Sequence, residues 1–198
     1  MKKSMPTEFV FSLFALLISV ILVHSVYLTV VRPNADAIIL EQRAAMEVDP
    51  DYSPERSLSV IVRDFEQEAC FILMLWAFSM LAYKGWAASL EGKLLLQEFI
   101  PIADGMKILP EDTREYARAI QGLPDDERRM LLPRVLLGAL GRFGATRNVQ
   151  DVASSTHTLF VTEAERLESE LSMIRYIAWA IPSIGFIGTV RGIGAALG

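Results

Sequence analysis

The sequence predicts an all-α fold: an integral membrane helical protein with long helices extending into the cytoplasm. Three observations lead to this prediction. Three apolar blocks have about the length that crosses a bilayer, the stretches between them are ordinarily charged, and the alternation of β-branched residues that marks strands is absent. Of the 198 residues 52% are hydrophobic, and the formal net charge is −5, so no basic surface points to nucleic acid.

Residues 1–31 are predicted to be an N-terminal tail and a first transmembrane helix. The apolar block that follows Glu8 contains no Asp, Glu, Lys or Arg, and about 20 residues are enough to cross the roughly 30 Å hydrocarbon core. Lys2 and Lys3 precede it, but the apolar part of a signal peptide is only about 7–15 residues long, which favours an uncleaved span. His24 lies near the far end, where packing at the membrane interface is a simpler interpretation than a proton relay.

Residues 32–68 are predicted to be a polar extracytoplasmic loop. Pro50 and Pro54 break any long helix there, and one short amphipathic helix is predicted over residues 35–45. Positively charged residues near membrane spans are more frequent on the cytoplasmic side, so the lysines of the N-terminal tail favour a cytoplasmic N-terminus. The arginines of this loop weaken that argument. With a second span after the loop, the next polar segment would return to the cytoplasm.

Residues 69–89 are predicted to be that second transmembrane helix. Lys84 interrupts the block, but its ammonium can reach the interface while its stem stays in lipid. A buried core helix of a soluble domain is the alternative for a block of this length. Cys70, the only cysteine, cannot form an internal disulfide and is interpreted as a small apolar filler.

Residues 90–172 are predicted to be a helical cytoplasmic segment, helical throughout and punctuated by prolines. Residues 123–127, Leu-Pro-Asp-Asp-Glu, are a favourable helix start, because proline and acidic residues suit the first turn. The sequence offers no paired carboxylates, nucleophile constellation, metal-ligand cluster or phosphate-binding loop in this segment. We therefore expect no enzymatic activity, no cofactor and no metal site.

A heptad pattern begins near Asn148 and lasts about four repeats. Two positions of the heptad, which we call the seam, carry apolar or small residues with the one exception of His157. The first position holds Ala153, Phe160, Leu167, Ile174 and Ile181, and the second, four residues later, holds His157, Ala164, Leu171 and Ala178. This pattern predicts a helix that packs along one seam against neighbours. The seam runs into the third apolar block, so a stalk and a membrane span are predicted to be one continuous helix. His157 is interpreted as a packed polar residue rather than a ligand.

Residues 173–198 are predicted to be a third, pore-lining transmembrane helix that is incomplete at its C-terminus. It is rich in glycine, with small-xxx-small pairs at Gly188/Gly192 and Gly194/Gly198 that favour close helix approach. Pro182 frees a backbone carbonyl inside the helix, which then needs a neighbour or water.

The string Pro182–Ile193, PSIGFIGTVRGI, closely resembles the P-x-x-G-[apolar]2-G-T-V-x-G-[apolar] signature of the MotA/TolQ/ExbB proton-channel family. The resemblance implies a multi-pass protein of the bacterial cytoplasmic (inner) membrane. It implies a homo-oligomer, a pentamer, around the single helices of partner subunits like MotB, TolR and ExbD, each of which carries a membrane carboxylate. Such a complex is a stator or channel that couples proton or sodium flow to mechanical work.

The resemblance also implies roles for single residues. Thr189 would line the ion path beside the partner's carboxylate, Pro182 would shape the helix, and Gly185, Gly188 and Gly192 would admit the partner helix. A hydroxyl suits this place because it can donate to a carboxylate without carrying charge.

Two features depart from the family pattern. Arg191 stands where the family often has tryptophan or a neutral residue. It is interpreted as a partner contact, as a residue of the lumen, or as a cation that reaches the interface. The chain stops in apolar sequence at Gly198, where the resemblance predicts a further span with a second pore threonine.

Two alternatives remain at this point. One is a non-conducting oligomeric membrane scaffold that packs through its glycine-rich helix. The other is a fragment of a membrane enzyme or transporter, for which the sequence offers no chemical constellation.

Overall fold

The computed structural model describes residues 7–49, 52–53, 57–101 and 107–197, with only the backbone at 195 and 196. All regular secondary structure in these residues is helical, which confirms the all-α prediction. The helices of the first half are α1 (Thr7–Val26), α2 (Arg32–Val48), α3 (Leu58–Ile61) and α4 (Phe65–Leu94). Those of the second half are α5 (Thr113–Gln121), α6 (Asp125–Arg128), α7 (Leu131–Thr146) and α8 (Val149–Leu197).

The chain forms two compact units. Unit 1 consists of residues 1–83 and 173–198, and unit 2 consists of residues 84–172. Three helices are long and apolar enough to cross a membrane: Thr7–Val48, Phe65–Leu94 and Val149–Gly194. Only 17%, 6% and 6% of their most apolar windows are buried, so most of that apolar surface is left uncovered by the described residues.

The first apolar helix does not stop at the end of its apolar block. A five-residue π-helical turn, Tyr27–Val31, joins α1 directly to α2, and proline is accepted in the first turn of α2 because its missing N–H has no intrahelical role there. The predicted short helix over residues 35–45 is therefore a longer continuation, and α2 ends at Val48. Lys2, Lys3, Pro50 and Pro54 lie outside the described residues.

The predicted continuity of this helix is confirmed, because α8 runs without a break over 49 residues. Pro182 lies inside this helix and does not end it. The prediction that residues 90–172 are helical throughout is wrong for residues 95–101 and 107–112, which form turns and irregular chain. Pro101 and Pro110 lie in these stretches, and proline cannot supply the N–H that a helix interior requires.

Close helix packing in unit 1 rests on small residues. Ala15, Ser19 and Ala35 are buried, and the hydroxyl of Ser19 donates to the carbonyl of Ala15 at 2.7 Å, so it adds no unsatisfied polar group. Trp76 Nε1 donates to the carbonyl of Ser12 at 2.9 Å, which ties α4 to α1.

Unit 2 has a small core between α5 and α7, in which Ile120, Pro133, Val135 and Leu140 are buried. The predicted helix start is confirmed at Asp125, although α6 lasts only four residues. Arg147 ends α7 in the left-handed conformation, with φ 53°.

The next helix begins directly after that turn. Asn148 Oδ1 accepts the backbone N–H of Gln150 at 2.9 Å, so it caps the first turn of α8.

The predicted seam of α8 is not the face that packs inside unit 2. Phe160, Leu167 and Leu171 on the seam are 47%, 48% and 38% exposed. The neighbouring face makes the intrachain contacts instead: Glu163 pairs with Arg134. The seam in unit 2 is therefore an apolar stripe without an intrachain partner among the described residues.

Gly144 of α7 gives a first test of this packing. A Cβ there would lie 2.7 Å from Oγ1 of Thr113, which is buried and donates to the carbonyl of Pro110 at 2.8 Å. We expect Gly144→Ala to destabilise α7 by about 1 kcal/mol, since the lost bond and overpacking outweigh the backbone gain of alanine. Hydrogen exchange of the α7 amides in the full chain measures this as roughly fivefold faster opening.

The control is Gly138→Ala on the same helix, where an added Cβ meets nothing within 4 Å and alanine should slow exchange. Adding Thr113→Ala to Gly144→Ala should restore protection. A Gly144→Ala variant as well protected as Gly138→Ala would contradict the assigned contact.

The Arg142–Asp151 pair gives a second test, because it joins α7 to α8 within unit 2. Arg142 Nε and NH2 donate to the two carboxylate oxygens at 2.7 and 3.0 Å, and this hydrogen bonding holds the pKa of Asp151 below its ordinary value. The pair therefore stabilises unit 2 above the unfolded-state pKa of about 3.9, and this contribution is lost as pH falls through the lower folded-state pKa.

In Arg142→Met we expect the Asp151 carboxyl to titrate at higher pH than in the wild type, followed by its carboxyl-carbon NMR shift. Arg147→Met is the control, since Arg147 pairs with Glu111 instead. An Asp151 titration that is the same with and without Arg142 would show that the pair does not form in solution.

Candidate functional site

The glycine-rich string of α8 presents an open face. Gly185, Thr189 and Gly192 lie within about 60° of one another around the helix, at 100° per residue. A Cβ added at Gly185 or Gly192 would meet nothing within 4 Å, and Thr189 is exposed. The Thr189 hydroxyl donates to the carbonyl of Gly185 at 3.1 Å, which leaves its oxygen able to accept. This face can admit another helix at close range.

Gly188 has a different role, because it lies against α4. A Cβ on Gly188 would lie 3.2 Å from Cβ and 3.4 Å from Cγ of Glu66. A Cβ at this position would therefore require the Glu66 side chain to shift by a few tenths of an ångström. Within the predicted set of packing glycines, Gly188 thus serves the chain's own fold.

Arg191 is paired within the chain. Its NH2 lies 2.9 Å from Oδ2 of Asp64 and 2.9 Å from Oε2 of Glu66. The approach to Glu66 lacks hydrogen-bond alignment, so this second contact is an ion pair alone. Arg191 therefore ties the end of α8 to the start of α4, on the same side as Gly188.

A second charged group centres on Glu68. This side chain is only 7% exposed, and its Oε1 and Oε2 lie 2.6 Å from His24 Nδ1 and 2.5 Å from Arg32 NH2. Arg32 also stacks over Phe65, with Cζ 4.5 Å from the ring centroid. An almost enclosed carboxylate needs such partners, because an unpaired buried charge costs several kcal/mol.

Tyr27 adjoins this group at the start of the π-helical turn. It is 3% exposed, its ring centroid lies 5.9 Å from Arg32 Cζ, and its buried hydroxyl oxygen has no hydrogen-bond partner among the described residues. π-Helical turns inside α-helices are frequent at functional sites. A buried hydroxyl without a partner is unusual and points to a bound water or ligand.

The two charged groups meet around one cavity of about 640 Å³. Its lining includes three arginines and two aspartates, Arg32, Asp36, Arg63, Asp64 and Arg191, together with Phe65 and Gly192. We call these residues, with His24, Glu66 and Glu68, the charged cluster of unit 1. Among the described residues, its three guanidinium groups face four carboxylates.

The structure places the sequence-predicted residues in two sets. Gly185 and Thr189 lie on the open face, and Gly188 and Arg191 face α4. Gly192 lies between the two sets, since it has room for a Cβ but also lines the cavity of the charged cluster. Pro182 is exposed on the same helix, and Gly198, the second member of one predicted glycine pair, lies outside the described residues.

Sequence reasoning did not identify Asp64, Glu66 and Glu68 as site residues. The available signal was their position directly before the second apolar block, combined with Arg32 directly after the first. A helical hairpin brings these two positions to the same end, so acidic residues there can meet the arginine.

Comparison of the chain with models of protein families, with curated proteins and with solved structures finds no match.

The contact between Gly188 and Glu66 can be tested by substitution. We expect Gly188→Ala to push α8 away from α4 and to lower the melting temperature of the full chain in detergent by about 2–4 °C, as for a loss of roughly 1 kcal/mol. Gly185→Ala on the open face should leave the melting temperature of the isolated chain unchanged or slightly raised. Equal melting temperatures for the two variants would mean that the helices are not in contact at Gly188.

Proposed function

We propose that the protein is an integral membrane protein that crosses the bacterial cytoplasmic membrane several times. Support comes from the three long apolar helices, whose apolar windows are at most 17% buried by the chain. Side chains such as Phe14, Phe78 and Phe186 are 60% or more exposed, and lipid is the solvent in which that exposure costs nothing.

Within that membrane the protein acts as a subunit of a proton or sodium channel, a stator that couples ion flow to mechanical work. The single observation that carries this proposal is the string Pro182–Ile193 on an apolar helix, with Gly185, Thr189 and Gly192 on one open face. The glycines on either side of Thr189 let a foreign helix approach closely, and the Thr189 oxygen, whose hydrogen is donated to Gly185, can accept from a protonated membrane carboxyl group or from water. The partner is a single-span protein like MotB, TolR or ExbD.

The same proposal includes a homo-oligomer, a pentamer by resemblance. The exposed seam of α8 supports it, because Phe160 and Leu167 stand in a stretch with charged neighbours, where apolar side chains at heptad spacing are normally covered by another helix.

A non-conducting membrane scaffold is the second candidate function. The observation that favours it is the pairing of Arg191 with Asp64 and Glu66, which makes this cation a structural tie rather than a partner contact. A scaffold needs the glycines and the seam but has no use for the hydroxyl of Thr189.

The test co-expresses the full-length protein with the single-span protein encoded beside it. Cryo-electron microscopy of the complex should reveal a ring of copies that encloses foreign helices, with Thr189 beside their carboxylates. In proteoliposomes the complex should conduct protons or sodium ions, and Thr189→Val should reduce the flux by at least about tenfold, as expected when a polar contact in a membrane path is lost. Thr189→Ser should retain most of the flux.

Thr162→Val is the matched control, because the Thr162 hydroxyl makes the same bond to the carbonyl four residues earlier on the same helix, at 3.0 Å. A complex that assembles but conducts no ions, or that conducts equally with Thr189→Val, would support the scaffold and contradict the channel.

A further inference from the structure

We propose that the cavity of the charged cluster binds the headgroup of a phospholipid that carries a primary ammonium, as phosphatidylethanolamine does. Guanidinium groups of the lining hold the phosphate, and carboxylates of the lining hold the ammonium. The inference rests on the proposed membrane location of the chain, because it needs a lipid surface at this level. It does not rest on the proposed channel function, since it involves neither Thr189 nor a partner subunit.

The first argument is the level of the cavity along the apolar helices. Arg32 directly follows the first apolar block, and Phe65 begins α4 shortly before the second block. Arg191, near the end of α8, reaches the same level through its ion pair with Asp64. The cavity therefore lies where apolar helix surface gives way to polar chain. This is the level of the headgroups when apolar helices span a bilayer.

The second argument is the set of donors for a phosphate, because three guanidinium groups line the cavity. A guanidinium has five N–H donors in a planar fork that fits phosphate oxygens. Among the described residues, the one hydrogen bond of Arg63 runs from NH1 to Asp36 at 3.2 Å, so donors remain for a phosphate. Arg32, in contrast, is already held by Glu68 and Phe65. Arg63 is therefore the arginine on which the test concentrates.

The third argument is the pair of carboxylates in the same lining. Asp36 and Asp64 would repel an anionic headgroup, but they can accept from an ammonium beside the phosphate. A primary ammonium offers three N–H donors, whereas a trimethylated ammonium offers none. An aromatic face can hold a trimethylated ammonium instead, but the ring of Phe65 already has Arg32 over it, with Cζ 4.5 Å from the ring centroid. The lining therefore favours ethanolamine over both choline and an anionic headgroup.

The fourth argument is the room in the cavity and its access from the lipid side. Its volume of about 640 Å³ lies within the roughly 300–1,000 Å³ that small-molecule sites occupy. The side chain of Asp36 is 62% exposed and Phe65 is 67% exposed, so the described residues leave the cavity open to the outside of unit 1. Gly192 lines it without a side chain, and a Cβ there would meet nothing within 4 Å. A headgroup can thus enter while its acyl chains stay beside the apolar helices.

The experiment measures lipid binding by native mass spectrometry of the full chain in detergent. Phosphatidylethanolamine and phosphatidylcholine with identical acyl chains are compared, so that only the ammonium differs. We expect phosphatidylethanolamine to bind at least about fivefold more tightly, because the methylated ammonium has lost its hydrogen-bond donors. Phosphatidylglycerol should bind more weakly than phosphatidylethanolamine, and inorganic phosphate should not displace the lipid.

Two substitutions test the assigned roles. Arg63→Gln should weaken the binding of phosphatidylethanolamine by at least about tenfold, because a charged donor to the phosphate is lost. Arg43→Gln is the matched control, since it removes the same charge from α2 away from the cavity and should leave binding unchanged. Asp36→Asn should reduce the preference for ethanolamine over choline. Arg63 and Asp36 are 39% and 62% exposed, so neither change leaves an enclosed charge unpaired.

The proposal is overturned if phosphatidylethanolamine and phosphatidylcholine bind equally, if phosphatidylglycerol binds more tightly, or if inorganic phosphate displaces the lipid. It is also overturned if Arg63→Gln and Arg43→Gln bind the lipid equally well. Sedimentation of the chain with membranes after an alkaline wash tests the membrane location separately. A chain that stays in the membrane but shows no headgroup preference contradicts the lipid site alone, whereas a chain that is washed off contradicts the proposed location.

Discussion

Glu68 stands at the point where three helical segments of unit 1 meet. Its two oxygens are held by His24 of α1 and Arg32 of α2, while its own backbone belongs to α4. A carboxylate that is 7% exposed cannot be left without partners, since removal of one partner of a buried ion pair costs about 3–5 kcal/mol. Glu68 therefore constrains two features at once: the direction in which α2 continues after the apolar block, and the register of α4 against α1. Arg32 follows directly after the π-helical turn, Tyr27–Val31.

The end of α8 obeys a related constraint. Gly188 lets the helix approach the stem of Glu66, and Arg191 pairs with the carboxylates that this approach brings near. These two residues thus serve the chain's own fold, whereas Thr189, about 100° from Gly188 around the helix, stays exposed. Arg191 and Thr189 can serve different neighbours because residues two apart point about 160° away from each other.

Local signals predicted the helices and failed at the pairings between them. The length of the apolar blocks predicted the three long helices, and the proline and acidic residues at 123–127 predicted the start of α6. The heptad spacing predicted that α8 is continuous. The cluster around Glu68 depends on contacts 36 and 44 residues apart in sequence, which no local pattern records. The seam shows the same limit, because spacing predicted an apolar face but could not say whether this chain or another covers it. Inside unit 2 its residues Phe160 and Leu167 stay exposed.

Stability alone does not explain the charged cluster. Ion pairs at the end of apolar helices contribute little to stability compared with well-packed apolar side chains of the same volume. Replacement of Glu68, Arg32 and His24 together by such residues would therefore change the free energy of unfolding little. It would remove a constraint of direction, however, because Glu68 is held by His24 of α1 and by Arg32 of α2 while its own backbone belongs to α4. The cluster thus contributes specificity to the helix arrangement, which a channel and a scaffold both need.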